Sequence, residues 1–279
     1  MILATLALAL AAASGTSATA AHNAGITWVS DTVIRVANVD GSGRRVLRGR
    51  DSDGAGDPSW TRDGRALAFY VRYSDTVRID ILRPGTNRGA ELGSGASRSS
   101  EPTWSPDAKR IAVSEAWGSF GSENPESTIK IVSVATNKWK AVTKRKRRQI
   151  DGDPAWSPDG RTIAFARQHD HRTPTLYLVQ PDGHALRRLT KGWSPSWSPD
   201  SKRLVFARRD GIYEIRADGR GRTKRIVGVA YPLVRWSPDG AKLLYASGEN
   251  VWVANADGTH RTRVVHERYA IDGIAWRPG

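Results

Sequence analysis

Between Thr162 and Arg167 the large residues Ile163 and Phe165 alternate with the small residues Ala164 and Ala166. The same period of two returns as Leu67/Phe69, Ile111/Val113, Leu204/Phe206 and Leu243/Tyr245. Alternation of this kind predicts short β-strands that turn one sheet face to a core. A near-identical phrase introduces each strand: DPSWTRDGRALAFY from Asp57, EPTWSPDAKRIAVS from Glu101, DPAWSPDGRTIAFA from Asp153, SPSWSPDSKRLVFA from Ser194 and LVRWSPDGAKLLYA from Leu233. A sixth, shorter copy, DGIAWRPG, starts at Asp272. The tryptophans of the phrase, Trp60, Trp104, Trp156, Trp197, Trp236 and Trp276, are spaced 44, 52, 41, 39 and 40 residues apart. A period near forty points to stacked β-units of the propeller kind.

Within one unit, Ser157-Pro158-Asp159-Gly160 has the chemistry of a tight turn, with proline at its second position and glycine at its fourth. It joins a short strand a, ending at the tryptophan, to strand b. A third and a fourth strand follow, joined by Asp-Gly steps at 182–183, 218–219 and 257–258, which are hairpin signals. The unit is therefore a four-stranded antiparallel sheet, a through d. The first unit, GITWVSDTVIRVANVDGSGRRVL, has strands b, c and d but no tryptophan strand, and the chain's last residues supply one. If 274–276 pairs with the first strand, blade 1 is completed from 26–47 plus 274–276 and no inner edge is left unpaired. The fold class expected is all-β: a six-bladed β-propeller of four-stranded antiparallel blades over residues 21–279, closed by its C-terminal strand.

Over roughly residues 25–279 these W-S-P-D-G repeats resemble those of TolB-type (WD-like) six-bladed β-propellers. The resemblance implies the fold, and it implies a central channel of the kind that holds ions or peptides in that family. The α/β domain that precedes the propeller in TolB is expected to be lacking. Propellers of prolyl-oligopeptidase-like peptidases are also similar, but they are followed by a hydrolase domain not expected here.

Composition adds a charge and a location. Lys and Arg number 43 against 28 Asp and Glu, a formal +15, which favours anionic partners. The opening stretch has an apolar run from Ile2 to Ala13 and then Ala18-Thr19-Ala20, so residues 1–20 read as an export signal and the protein as secreted or periplasmic, in the cell envelope. That run is too short to span a bilayer, which takes about 20 apolar residues. There is no cysteine, so stability must come from packing.

The repeated phrase itself reads as architecture, its aspartates holding their own turns. The carboxylates that open it are different. Asp57, Glu101, Asp153 and Asp272 are placed just before strand a, the innermost strand, where they would ring one mouth of the channel. They either bond nearby backbone N–H groups or form a site for a basic peptide terminus or for Ca²⁺, held by Asp57, Glu101 and Asp153. No other cofactor is expected. On the same face the long loop 116–127 carries Trp117 and Phe120, and the run Lys144, Arg145, Lys146, Arg147, Arg148 leads into blade 4. Both are candidate partner-binding surfaces, against the alternatives of aromatics folded onto the blade and a merely solvated loop. His169, Asp170 and His171 sit together but form a thin metal pattern.

No G-x-S-x-G elbow or cysteine nucleophile is present, and no nucleic-acid motif accompanies the charge. The expectation is a non-catalytic, extracytoplasmic, monomeric scaffold. It would recognise a protein, a peptide or an anionic envelope polymer at the channel-mouth face. The alternative is a carbohydrate- or peptide-active enzyme using the channel carboxylates.

Overall fold

The computed structural model describes residues 23–48, 54–73, 76–85, 89–93, 98–117, 126–170 and 172–278, and every regular element among them is a β-strand. The predicted export signal and Phe120 and His171 lie outside the described residues. Blade 1 comprises β1 (Asn23–Ser30), β2 (Val33–Ala37), β3 (Arg45–Arg48) and, from the far end of the chain, β24 (Ile271–Pro278). Blade 2 holds β4 (Gly54–Trp60), β5 (Leu67–Tyr73), β6 (Thr76–Leu82) and β7 (Gly89–Leu92). Blade 3 holds β8 (Arg98–Trp104), β9 (Arg110–Trp117), β10 (Glu126–Ser133) and β11 (Trp139–Ala141). Blade 4 holds β12 (Gln149–Trp156), β13 (Ile163–His169), β14 (Thr175–Val179) and β15 (Arg187–Lys191). Blade 5 holds β16 (Trp193–Trp197), β17 (Arg203–Arg208), β18 (Gly211–Arg216) and β19 (Lys224–Gly228), and blade 6 holds β20 (Leu233–Trp236), β21 (Lys242–Ser247), β22 (Asn250–Asn255) and β23 (Thr262–His266).

The predicted closure is present and longer than expected: β24 pairs antiparallel with β1 from Asn23↔Pro278 to Ser30↔Ile271. Blades 2 and 3 are also joined by one parallel bridge, Val77↔Arg98. Six apolar clusters fill the spaces between successive blades. Alternation predicted one core face per strand, whereas both faces are buried. Phe165 packs between blades 3 and 4, while Ala164 and Ala166 sit between blades 4 and 5, where they receive Trp197. Large and small residues alternate because a wedge must accept its neighbour's tryptophan on one side and project bulk on the other.

Each tryptophan buries on the order of 150–250 Å², and four of the six, Trp60, Trp104, Trp197 and Trp276, also bond the blade before them. The indole N–H of Trp104 donates to the Ser59 carbonyl at 3.0 Å, that of Trp197 to the Ala155 carbonyl at 2.9 Å, and that of Trp276 to the Arg235 carbonyl at 3.1 Å. In blade 2, Trp60 donates to Thr27 Oγ1 at 2.9 Å. The turn chemistry is as read. Ser157 Oγ donates to Asp159 at 2.6 Å and accepts the Thr162 N–H at 2.9 Å, while Gly160 takes φ = 73°, the left-handed region open to glycine. The same hydroxyl donations hold Asp107 and Asp200 below the usual carboxylate range.

Candidate functional site

Along the inner strands the chain repeats an acid–proline step, and here it makes a bulge rather than a strand entry. Asp57, Glu101 and Asp153 lie within β4, β8 and β12, not before them, at register shifts between Gly56 and Ser59, Ser100 and Thr103, and Gly152 and Ala155. Their φ values are 49°, 55° and 51°, and Ser194 in β16 follows at 48°. A proline comes next each time, Pro58, Pro102, Pro154 and Pro195. Proline has no N–H to donate, and the channel side of an innermost strand has no partner strand to receive one. The left-handed residue turns its own N–H along the ring instead. Glu101 donates its backbone N–H to the Asp57 carboxylate, Asp153 donates to Glu101 Oε2, and Ser194 donates to Asp153 Oδ2 at 2.8 Å. The acids thus link neighbouring blades head to tail around the axis, the backbone-bonded arrangement that was one of the two sequence expectations.

The ring is incomplete where the ends of the chain meet. Gly273, not Asp272, occupies the equivalent place, and a Cβ there would lie 2.7 Å from Pro58 Cδ and 2.9 Å from the Asp57 nitrogen. Asp272 is exposed and does not line the central cavity, although its charge still acts on Asp57. The sequence-based placement of Asp272 in the ring is corrected accordingly.

The cavity measures about 290 Å³. Its wall is the second half of each inner strand, from the bulge acids through the six repeat tryptophans to Pro106, Pro158, Pro199 and Pro238 of the following turns. It therefore lies toward the a–b turns, at the opposite end of the strands from the b–c and d–a loops. This corrects the expectation that the carboxylates share a face with Trp117 and the basic run. The W-S-P-D-G phrase is both architecture and cavity lining.

Sequence reasoning missed Arg235. It stands where the other repeats carry Ser59, Thr103, Ala155, Ser196 and Ala275, and that departure from small residues was the available signal. Its Nη1 donates to Ser194 Oγ at 2.9 Å and to the Val234 carbonyl at 2.8 Å. The guanidinium is thereby fixed in the cavity as a counter-charge to the acids. Arg62, which replaces the turn proline in blade 2, also lines the cavity.

The three acids are enclosed by protein but touch the cavity, and the enclosure dominates their chemistry. Burial, then the charge of Asp153, pushes Asp57 up to about 7, with Arg235 and the Glu101 N–H opposing. Burial, then Asp153 and Asp57, holds Glu101 well above its ordinary value, and burial raises Asp153 as well. With Asp57 at about 7, that carboxyl is partly protonated at neutral pH, where an isolated carboxylate would be ionised. Among the described residues no group of three or more His, Cys, Asp or Glu side chains is arranged to hold a metal ion. The acids stand one per blade with oxygens committed to backbone N–H groups, an arrangement unlike a calcium cage.

On the other face two predicted partner-binding residues come together. Arg145 stacks 5.0 Å above the Trp117 ring and pairs with Glu126, and Lys130 lies 5.2 Å from the same ring. Trp117 is thus folded against its blade, half-buried. Lys146 and Arg147 are exposed, and Arg148 approaches Asp170 at 3.7 Å. Beside them a buried pair escaped sequence reasoning: Arg167 grips Asp151 with two bonds of 2.7 and 2.8 Å, with side chains 8% and 0% exposed. Among the described residues no helix is long and apolar enough to cross a membrane.

Comparison with known proteins places the chain among β-propeller relatives. The family profile described as TolB beta propeller domain matches residues 114–269. A segment of 141 residues is 32% identical to the uncharacterized peptidase YuxL of Bacillus subtilis (strain 168), covering 39% of this chain and 21% of that protein. The Tol-Pal system protein TolB of Francisella tularensis subsp. holarctica (strain OSU18) is 25% identical over 108 residues, 39% of this chain and 24% of that protein. The chain thus matches between a fifth and a quarter of the length of these curated relatives. The solved structure of TolB from Acinetobacter baumannii superposes with a TM-score of 0.75 at 18% identity, over 91% of this chain and 66% of that one.

Proposed function

The chain belongs to the TolB β-propeller family, and from that premise we propose that it is a non-catalytic binding platform of the cell envelope whose central cavity receives a positively charged group from a protein partner. The observation that carries this reading is the row of three enclosed acids at the inner end of a cavity walled by tryptophan and proline. Rigid apolar walls around a few fixed polar groups are what a recognition pocket needs. A lysine side chain brought against Asp57, Glu101 and Asp153 would release their protons and replace them as the neutralising charge. The adjacent Arg235 favours a partner that also carries a carbonyl or carboxylate to accept from it. An envelope location accords with the relative named as a Tol-Pal system protein and with the apolar leader; fusion of residues 1–25 to a reporter active only after export tests it.

Calorimetric titration with lysine-containing peptides and their lysine-acetylated counterparts tests the pocket. Binding is expected for the free lysine only. It should strengthen as pH rises from 6 to 8 through the value of about 7 at Asp57, and fall at least about tenfold in Glu101→Gln. Binding indifferent to acetylation and to Glu101→Gln would remove the cavity from the reading. A second reading draws on YuxL, a protein described as a peptidase, and on Asp57, whose carboxyl is raised to about 7. Peptide or glycan turnover that disappears in Glu101→Gln would make this an enzyme instead.

A further inference from the structure

A second open cleft lies on the loop face, between blades 4 and 5 and away from the central cavity. It measures about 680 Å³ and is lined by four cations, Arg188, Lys191, Arg208 and Arg209, against one carboxylate, Asp210. Arg188, Lys191 and Arg209 are exposed. Arg208 is fixed at its base: its guanidinium donates to the Lys191 carbonyl and to Thr190 Oγ1, both at 3.1 Å, and lies 4.4 Å from the Tyr213 ring centre. The carboxylate is already engaged, accepting the Tyr213 hydroxyl at 2.8 Å with Arg225 at 3.9 Å.

The rim of this cleft is aromatic. Trp193 lines it, and Tyr231 stacks on Trp193 with ring centres 6.2 Å apart. Tyr231 is 65% exposed and takes φ = 46°, a left-handed conformation that costs on the order of 1 kcal/mol or more for a bulky residue. Its N–H donates to the Arg209 carbonyl at 3.1 Å, which ties the aromatic pair to the basic wall.

We infer that this cleft binds an acidic polysaccharide built of uronic acid residues. Guanidinium groups match carboxylates by paired hydrogen bonds, and those of Arg188 and Arg209 stand exposed on the cleft. The flat rim suits the apolar face of a sugar ring, and the hydroxyls of Thr173 and Thr190 suit its hydroxyl groups. Asp210 favours this ligand over DNA because its remaining lone pairs can accept from a hydroxyl, a donor that every uronic acid ring offers and a DNA phosphodiester backbone lacks.

The protein's overall positive charge is the rival explanation, and the fold supplies a control. A cleft at the opposite end of the strands carries Arg110, Lys138, Lys140 and Arg161 but no aromatic lining residue. The experiment is calorimetric titration of the full chain with alginate oligosaccharides, neutral maltooligosaccharides and single-stranded oligo-dT at fixed salt. Alginate should bind, and Arg188→Ala/Arg209→Ala should weaken it at least about tenfold. Tyr231→Ala should weaken it by about fivefold or more through lost stacking. Lys140→Ala/Arg161→Ala, which removes the same charge, should leave it unchanged, and neutral sugars should not compete. Equal loss in both double variants, oligo-dT binding as tight as alginate, or no alginate binding would each overturn the inference. Lysine-peptide binding in the central cavity should survive Arg188→Ala/Arg209→Ala, so failure of either site is read separately.

Discussion

Replacing Asp57 by asparagine should stabilise the protein at pH 8 and do so only about a third as much at pH 5. The carboxyl is raised from an ordinary 3.8 to about 7, first by burial and then by Asp153. Native Asp57 therefore holds its proton more tightly than the unfolded chain does, and stability falls as pH rises from about 4 through 7. A shift near three units corresponds to about 4 kcal/mol once both states are ionised, and contact with cavity water reduces the expected figure to about 2–3 kcal/mol. Asparagine keeps an oxygen to accept the Glu101 N–H but carries no charge to desolvate. At this chain length each kcal/mol moves the melting temperature by roughly 2–4 °C, so Asp57→Asn should melt about 5–10 °C above the parent at pH 8. Urea and thermal unfolding of both proteins at pH 5 and pH 8 give the comparison. A variant less stable than the parent at pH 8, or a difference that does not change with pH, would refute enclosure as the cause.

Two further outcomes follow from the packing. Arg167→Ala leaves the fully buried Asp151 carboxylate without its bidentate partner and should cost about 3–5 kcal/mol in urea unfolding, whereas Asp151→Leu/Arg167→Met should recover most of it. Deleting Ile271–Pro278 strips β1 of its inner partner, leaving only β2 beside it, and exposes Trp28 and Ile26, so the truncated chain should lose its cooperative thermal transition and associate in light scattering.

Much of the fold was legible because it is local chemistry repeated. The Ser-Pro-Asp-Gly turn, the alternation of Ile163 and Phe165 with alanines, and the forty-residue spacing each specify one blade. The missing tryptophan strand at one end and the spare one at the other specified the closure. Wedge packing was less legible: Ala164 looked like a solvent-side residue until Trp197 of the next blade was seen against it.

The candidate sites divide along the same line. Sequence alone singled out Asp57, Glu101, Asp153 and Asp272, because carboxylates recur where the phrase opens onto the innermost strand. Tertiary structure decided that the first three lie in left-handed bulges, bond the next blade's backbone and face the turn side of the channel. It also brought Arg235 to them and Arg145 onto Trp117, and it gathered Arg188, Arg209, Trp193 and Tyr231 at one cleft. Turn and strand preferences are set by a few neighbouring residues and are written in the chain. Which charges share a cavity is set by how six sheets rotate about an axis, and that rotation depends on packing between residues some forty positions apart.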